Sequence, residues 1–312
     1  MLDIAKSLMT VLFAVGQMQP GSGDGLPADS MVSDTLLVVP ADSISNSADT
    51  TGNQPSPKDE PSDDFKAAAA DSSWWYRKLD NKSFGVGERL EFSVKYGMLP
   101  AGTAVMKVPE IVDYEGRPSF RIVSTAESNS VVSVFYKVRD SVETIVDYDG
   151  IFPRKFHKRL REGGYKADKT TFFDQRKHLA IAENDTIPTY AFVQDALSSL
   201  YYIRTRELSP GQEILIDNHT DKKNYPLKVM VLREETIDVP AGKFDCLVVE
   251  PVMRAEGIFK AKGKIWIWLT NDQYKFPVMM KTEVYFLGSI TAQLKKYELG
   301  VTQAEDEQVQ EN

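Results

Sequence analysis

The chain of 312 residues has one cysteine, Cys246, and three histidines, His157, His178 and His219. A lone thiol excludes an intramolecular disulfide framework. Histidines this far apart, with no HExxH and no paired cysteine, exclude the common metal-ligand spacings. No apolar run approaches the ~20 residues that a helix needs to cross a bilayer, so no transmembrane span is predicted. There is no GxSxG elbow, no Walker loop, and no GxGxxG placed to open a βαβ unit. A basic cluster is missing as well, which argues against a nucleic-acid partner. The reading is therefore no catalytic residue, no metal ligand and no cofactor, and an enzyme is the least favoured class.

The remaining polar groups fit structural roles. Asp147-Tyr148-Asp149-Gly150 shares its opening with a calcium loop but lacks the rest of the twelve-residue pattern, and reads as a turn. Cys246 stands among apolar strand residues and reads as a buried, inert thiol. Glu234 and Glu235 fall on opposite faces of a strand, so they cannot flank one glycosidic bond.

The formal charge of −8 is unevenly spread. Ten acidic residues from Asp24 to Asp71 face only Lys58 and Lys66, and Glu305, Asp306, Glu307 and Glu311 crowd the tail, which leaves residues 73–300 mildly basic. Lys6 followed by an apolar run over 8–15 and small residues at 14–16 reads as a secretory signal over 1–16. Residues 17–72, rich in Ser, Asp, Pro and Gly, read as a disordered acidic linker. A single β-rich domain over 75–299 and an acidic disordered tail over 300–312 complete the expected organisation.

Within that domain the apolar period is two. Leu90, Phe92, Val94 and Tyr96 alternate with Arg89, Glu91, Ser93 and Lys95, and similar runs recur to residue 298 with short Gly, Pro and Asp connections. About 11–12 strands are expected. Val131 to Tyr136 reads as a short helical turn opened by Asn129 or Ser130. One main helix is expected over 189–207, from the spacing of Phe192, Ala196, Leu200 and Ile203. So many hairpin-linked strands must curl into a barrel or half-barrel, with the helix packed on or in it.

Residues 263–286 read as a hairpin whose first strand is apolar on both faces, with Ile265, Ile267 and Leu269 on one and Trp266 and Trp268 on the other. Trp266, Trp268, Met280, Phe286, Phe92 and Tyr96 are the expected ligand-binding set, lining a concave face suited to lipid or a lipoprotein acyl chain. The alternative is that these residues form the dry core of a filled barrel, which would make the protein an interaction or structural module with an envelope protein partner.

Several segments carry a family resemblance. Phe84-Gly85-Val86-Gly87-Glu88-Arg89-Leu90, the helix stretch Asp195-Ala196-Leu197-Ser198-Ser199-Leu200, Val239-Pro240-Ala241-Gly242, and Ile267-Trp268-Leu269-Thr270-Asn271-Asp272 with Phe276-Pro277-Val278 resemble, in this order, the exported bacterial family called domain of unknown function 3108. The hairpin is similar, more loosely, to periplasmic lipoprotein-carrier half-barrels. The resemblance implies an exported protein in the periplasm or envelope of a Gram-negative bacterium and supplies no active residues.

Overall fold

The computed structural model describes residues 77–253, 264–284 and 288–303. The signal-like segment, the linker, Phe286 and nearly all of the tail lie outside them.

The described chain is mainly β. After the short β1 (Gly85–Val86) come β2 (Arg89–Tyr96), β3 (Leu99–Tyr114) and β4 (Arg117–Ser128). The helix α1 (Ser130–Phe135) leads into β5 (Arg139–Asp147), β6 (Pro153–Glu162) and β7 (Tyr165–Asp174), then the short β8 (Leu179–Ala182) and β9 (Asp185–Pro188). Helix α2 (Ala196–Arg204) follows. The chain continues with β10 (Glu213–Thr220), β11 (Lys223–Val239), β12 (Gly242–Met253) and β13 (Lys264–Thr270). It ends with β14 (Pro277–Val284), β15 (Gly288–Glu298) and β16 (Val301–Thr302), which pairs with β1.

Fourteen strands make one antiparallel sheet in the order β10-β11-β12-β13-β14-β15-β2-β3-β4-β5-β6-β7-β8-β9. The pairing of β15 with β2 joins the two halves of the chain, so that only β10 and β9 are edges. The sheet is strongly curved but no ladder closes it. A half-barrel is the outcome, with more strands than the expected 11–12 because β1, β9 and β16 are too short to leave a period-two signal.

Alternation sorts side chains onto an inner and an outer face. Leu90, Phe92 and Val94 of β2, Ala104 and Met106 of β3, Phe120 and Ile122 of β4, and Val142 and Val146 of β5 are buried together. Helix α2 stands on this inner side: Thr144 Oγ1 of β5 donates to Asp195 Oδ2, and Asn218 Nδ2 of β10 donates to Ser199 Oγ at 2.9 Å. Almost every residue of α2 is buried, including Ser198, Ser199 and Arg204. The helix fills the curve of the sheet.

It is shorter than the expected 189–207. Asp195 caps it, accepting from the N–H groups of Leu197 (2.8 Å) and Ser198 (2.7 Å), while Ser198 Oγ accepts from Asp195 N (2.9 Å) in a capping box. Phe192, counted in the helical period, has φ of 53° and lies in a turn. Nine residues are too few for a helix to persist alone in water. Its lower end is held by Arg204, which is fully buried. That guanidinium donates to both oxygens of Glu88 (2.8 and 2.5 Å), to Ser83 O (2.8 Å) and to Tyr274 O (3.1 Å). The rings of Tyr201 and Phe84 cover it at 4.9 and 5.4 Å.

Arg204→Met leaves the Glu88 carboxylate buried without its cation. The expected loss in urea-unfolding free energy is about 3–5 kcal/mol, most of it recovered when Glu88→Leu is added. An equal loss in the single and double variants would mean that the site depends on packing and not on charge.

Candidate functional site

The six residues expected to share a binding face do not all share one. Met280 pairs with Ile267 and with Ala292, and Phe92 pairs with Leu294 and Ala104, so Met280 and Phe92 are on the inner face. Each is 1% exposed within the core that contains α2. Tyr96, half-buried, packs against the same core at the end of β2. Trp266 and Trp268 pair with Lys281 and Met279 and therefore project to the outer face. Trp268 is 6% exposed and Trp266 half-buried. Grouping the tryptophans with Met280 is thus corrected, because the register sets Met280 opposite an isoleucine and alternation does the rest. Phe286 lies outside the described residues.

The polar groups are engaged structurally. Asp147 accepts from Arg117 Nε at 2.7 Å and from Gly150 N at 2.9 Å, as a turn would have it. His157 Nε2 lies 2.7 Å from Asp168 Oδ1 at the surface. Burial pushes the Cys246 thiol up to about 12, so it stays protonated and unreactive near neutral pH. Among the described residues no three His, Cys, Asp or Glu side chains converge as metal ligands.

The anomalous feature is on the rim, where β2 turns into β3 and β4 into α1. Met98 and Leu99 stand at this turn, 94% and 69% exposed, and Val131, Val134 and Phe135 of α1 are 70%, 78% and 76% exposed. Gly97, with φ of 56°, makes the turn, and its N–H donates to Ser289 O at 2.8 Å. Asn129 joins the two pieces of rim. Its N–H donates to Ala101 O (2.9 Å), its Nδ2 donates to Pro100 O (2.7 Å), and its Oδ1 accepts from Val132 N (2.9 Å) as the N-cap of α1. Val138 N donates to Ser128 Oγ at 2.9 Å, and Tyr136 Oη donates to Glu162 O at 3.2 Å. The apolar side chains are therefore presented on a pinned backbone. Lys137 and Arg139 follow α1 in the chain, with Glu127 near Arg139 at 3.5 Å, while Glu283 stands opposite Ser289 beside the Gly97 turn. The expected binding set contains none of these five apolar residues. The apolar run from Val131 to Phe135 on a helix of barely more than one turn was the signal for them, since so short a helix cannot bury every side.

Two carboxyls on the inner face are perturbed. Burial pushes Asp195 up to about 6 against the hydrogen bonds from Ser198, Thr144 and Leu197. Burial likewise pushes Asp140 up to about 6, opposed by the N–H of Arg161 at 2.7 Å.

The sequence profile of a family described as protein of unknown function, DUF3108, matches residues 91–295. No curated protein matches the chain significantly. Among solved structures, a β-barrel-like protein of domain of unknown function DUF1849 from Brucella abortus is similar at TM-score 0.48 and 10% identity, over 70% of this chain and 99% of that one. A DUF1089 family protein from Pseudomonas aeruginosa is similar at TM-score 0.35 and 9% identity, over 59% of this chain and 90% of that one.

A carboxyl whose folded pKa lies above its unfolded value weakens the fold when ionised, and the penalty disappears as pH falls from about 6 toward the ordinary 3.8. Wild type should therefore gain stability relative to Asp140→Asn between pH 7 and pH 5. The measurement is the difference in urea midpoints at the two pH values, and a constant difference contradicts the raised pKa.

Proposed function

The chain belongs to the DUF3108 family, and on that premise we propose that it is a non-enzymatic exported envelope protein with a filled interior, which meets lipid at its apolar rim. The observation that carries this reading is the rim itself: five large apolar side chains, 69–94% exposed, on backbone fixed by Asn129, Ser128 and Tyr136. Exposed apolar side chains held together in this way mark an interaction surface. Burying each would contribute about 1.5–3 kcal/mol.

The chemistry at the edge of the patch favours a lipid surface over a protein groove. Lys137 and Arg139 follow α1 directly, Arg139 beside Glu127, and near an anionic leaflet each basic residue adds about 1 kcal/mol. An apolar wedge with a basic margin is the pattern of interfacial membrane contact. The signal-like composition of residues 1–16 supports export. The alternative, an acyl chain inside the sheet, is less favoured because Phe92, Met280, Leu200 and Tyr201 are already buried against one another in a single core.

Flotation of the full chain with vesicles of phosphatidylethanolamine and phosphatidylglycerol tests the rim. Wild type is expected to float. The pair Val134→Ser and Phe135→Ser is expected to lower partitioning roughly tenfold or more without changing the unfolding midpoint. Equal flotation of variant and wild type overturns the reading. So does native mass spectrometry in which the protein retains one lipid that the rim variant also retains, which would restore the interior site. Failure of wild type to float, with the rim instead protected by a co-purifying envelope protein, assigns the patch to a protein partner.

A further inference from the structure

The two edges of the sheet meet at a seam and not at a ladder. The His219 ring of β10 meets the Phe173 ring of β7 edge-to-face at 5.9 Å, and Lys158 Nζ of β6 donates to Asp221 Oδ1, in the turn after β10, at 2.9 Å. Here lies a cavity of about 280 Å³, whose wall includes Lys158, Lys169, Thr171, His219 and Asp221.

A chain of bonds fixes the tautomer of His219. Asn224 Nδ2 donates to Pro188 O at 2.7 Å, which turns its Oδ1 toward His219 Nδ1 at 2.8 Å. Nδ1 must therefore carry the hydrogen, and Nε2 is left as a lone-pair acceptor. His219 is 3% exposed, and its Nε2 has no hydrogen-bond partner. Burial, which outweighs the bond to Asn224 and the nearby Asp221 charge, pulls the imidazole pKa down and keeps it neutral. A buried acceptor left unmet has lost its hydration without replacement.

The second unmet demand is charge. Lys158 and Lys169 are directly opposed across β6 and β7, and like charges so placed repel. Asp221 answers Lys158, and Asp185 and Glu183 hold the neighbouring Lys222. Among the described residues Lys169 has no acidic partner.

We propose that the seam cavity binds a compact oxyanion carrying a hydroxyl hydrogen, of the hydrogen phosphate or 2-hydroxycarboxylate kind. Its charged oxygens accept from Lys169 and from the Thr171 hydroxyl, and its own hydroxyl donates to His219 Nε2. Lys158 adds positive potential from its pair with Asp221. The site is independent of the rim.

The test follows the imidazole nitrogens of the ¹⁵N-histidine-labelled full chain by long-range proton–nitrogen correlation. Potassium phosphate, sodium lactate, sodium acetate and potassium chloride are titrated at matched ionic strength. A saturable shift of His219 Nε2 is expected with phosphate or with lactate and not with chloride. Phosphate alone selects the hydrogen phosphate form, and lactate alone selects the hydroxycarboxylate. Lys169→Ala should weaken binding roughly tenfold or more, as loss of one charge-assisted hydrogen bond does, and Lys169→Arg should largely preserve it. Thr171→Val provides a second variant that leaves the charges in place and should also weaken binding. The proposal is overturned if neither phosphate nor lactate gives a saturable shift, if Lys169→Ala binds as wild type does, or if acetate, which lacks the hydroxyl, shifts Nε2 as lactate does.

Discussion

The fold depends on one buried charge pair. Helix α2 has only nine residues, and what keeps it in place is its attachment at both ends. Arg204 ties together three segments distant in sequence: the approach to β2 through Ser83 and Glu88, the helix itself, and the turn between β13 and β14 through Tyr274. Ser83 Oγ reinforces the junction by donating to Arg204 O at 2.7 Å and to Gln273 O at 2.9 Å. Such a pair adds little net stability over an apolar substitute, since desolvation consumes most of the attraction. Its value here is positional. A carboxylate and a guanidinium that cannot be left unpaired permit only one depth for the helix within the sheet.

That depth decides what the inner face can do. With α2 seated, Phe84 packs edge-on against Tyr201 at 4.8 Å and against Phe120 at 5.3 Å, linking the helix to the middle of the sheet. Asp195 binds Thr144 at the opposite end. The space in which a half-barrel could hold an acyl chain is occupied by the protein's own helix. Among the described residues the unmet demands are found at the boundaries of the sheet: exposed apolar side chains at the rim, and at the seam an acceptor without a hydrogen-bond partner and a cation without an acidic one.

Much of this architecture was legible in period-two alternation and short turns, because those report backbone geometry directly. The antiparallel sheet follows from it, while the main helix is read from the helical spacing of Ala196, Leu200 and Ile203. Periodicity overextends the helix because Phe192 keeps the helical period with Ala196 and Leu200. The stronger local signal was Asp195 followed by Ser198, a reciprocal cap that starts the helix whatever precedes it. Register was illegible. Alternation separates Trp266 and Trp268 from Ile267 correctly, but only pairing reveals that Met280 lies opposite Ile267, and a register shift falls at Trp268 and Leu269. The rim and seam were illegible for a further reason: each brings together residues from separate hairpins, and no local pattern encodes that meeting.

The seam also answers a problem that any open sheet of this size must meet. Free edges invite pairing with other chains. Here β9 is only four residues long and ends in Pro188, while β10 is covered by a strap in which Gln194 N donates to Asp217 O and His219 N donates to Gln194 O, both at 2.8 Å. The strap occupies those two groups of β10, no ladder joins β9 to β10, and side chains span the gap at the seam. Charged and polar side chains cross the seam, Lys158 of β6 to Asp221 in the turn after β10 and Asn224 of β11 to Pro188 of β9. Side chains, unlike a ladder, do not fill the space they span. A polar cavity at this seam is thus a consequence of how the edges are protected, and the unpartnered His219 Nε2 and Lys169 give that cavity its chemical character.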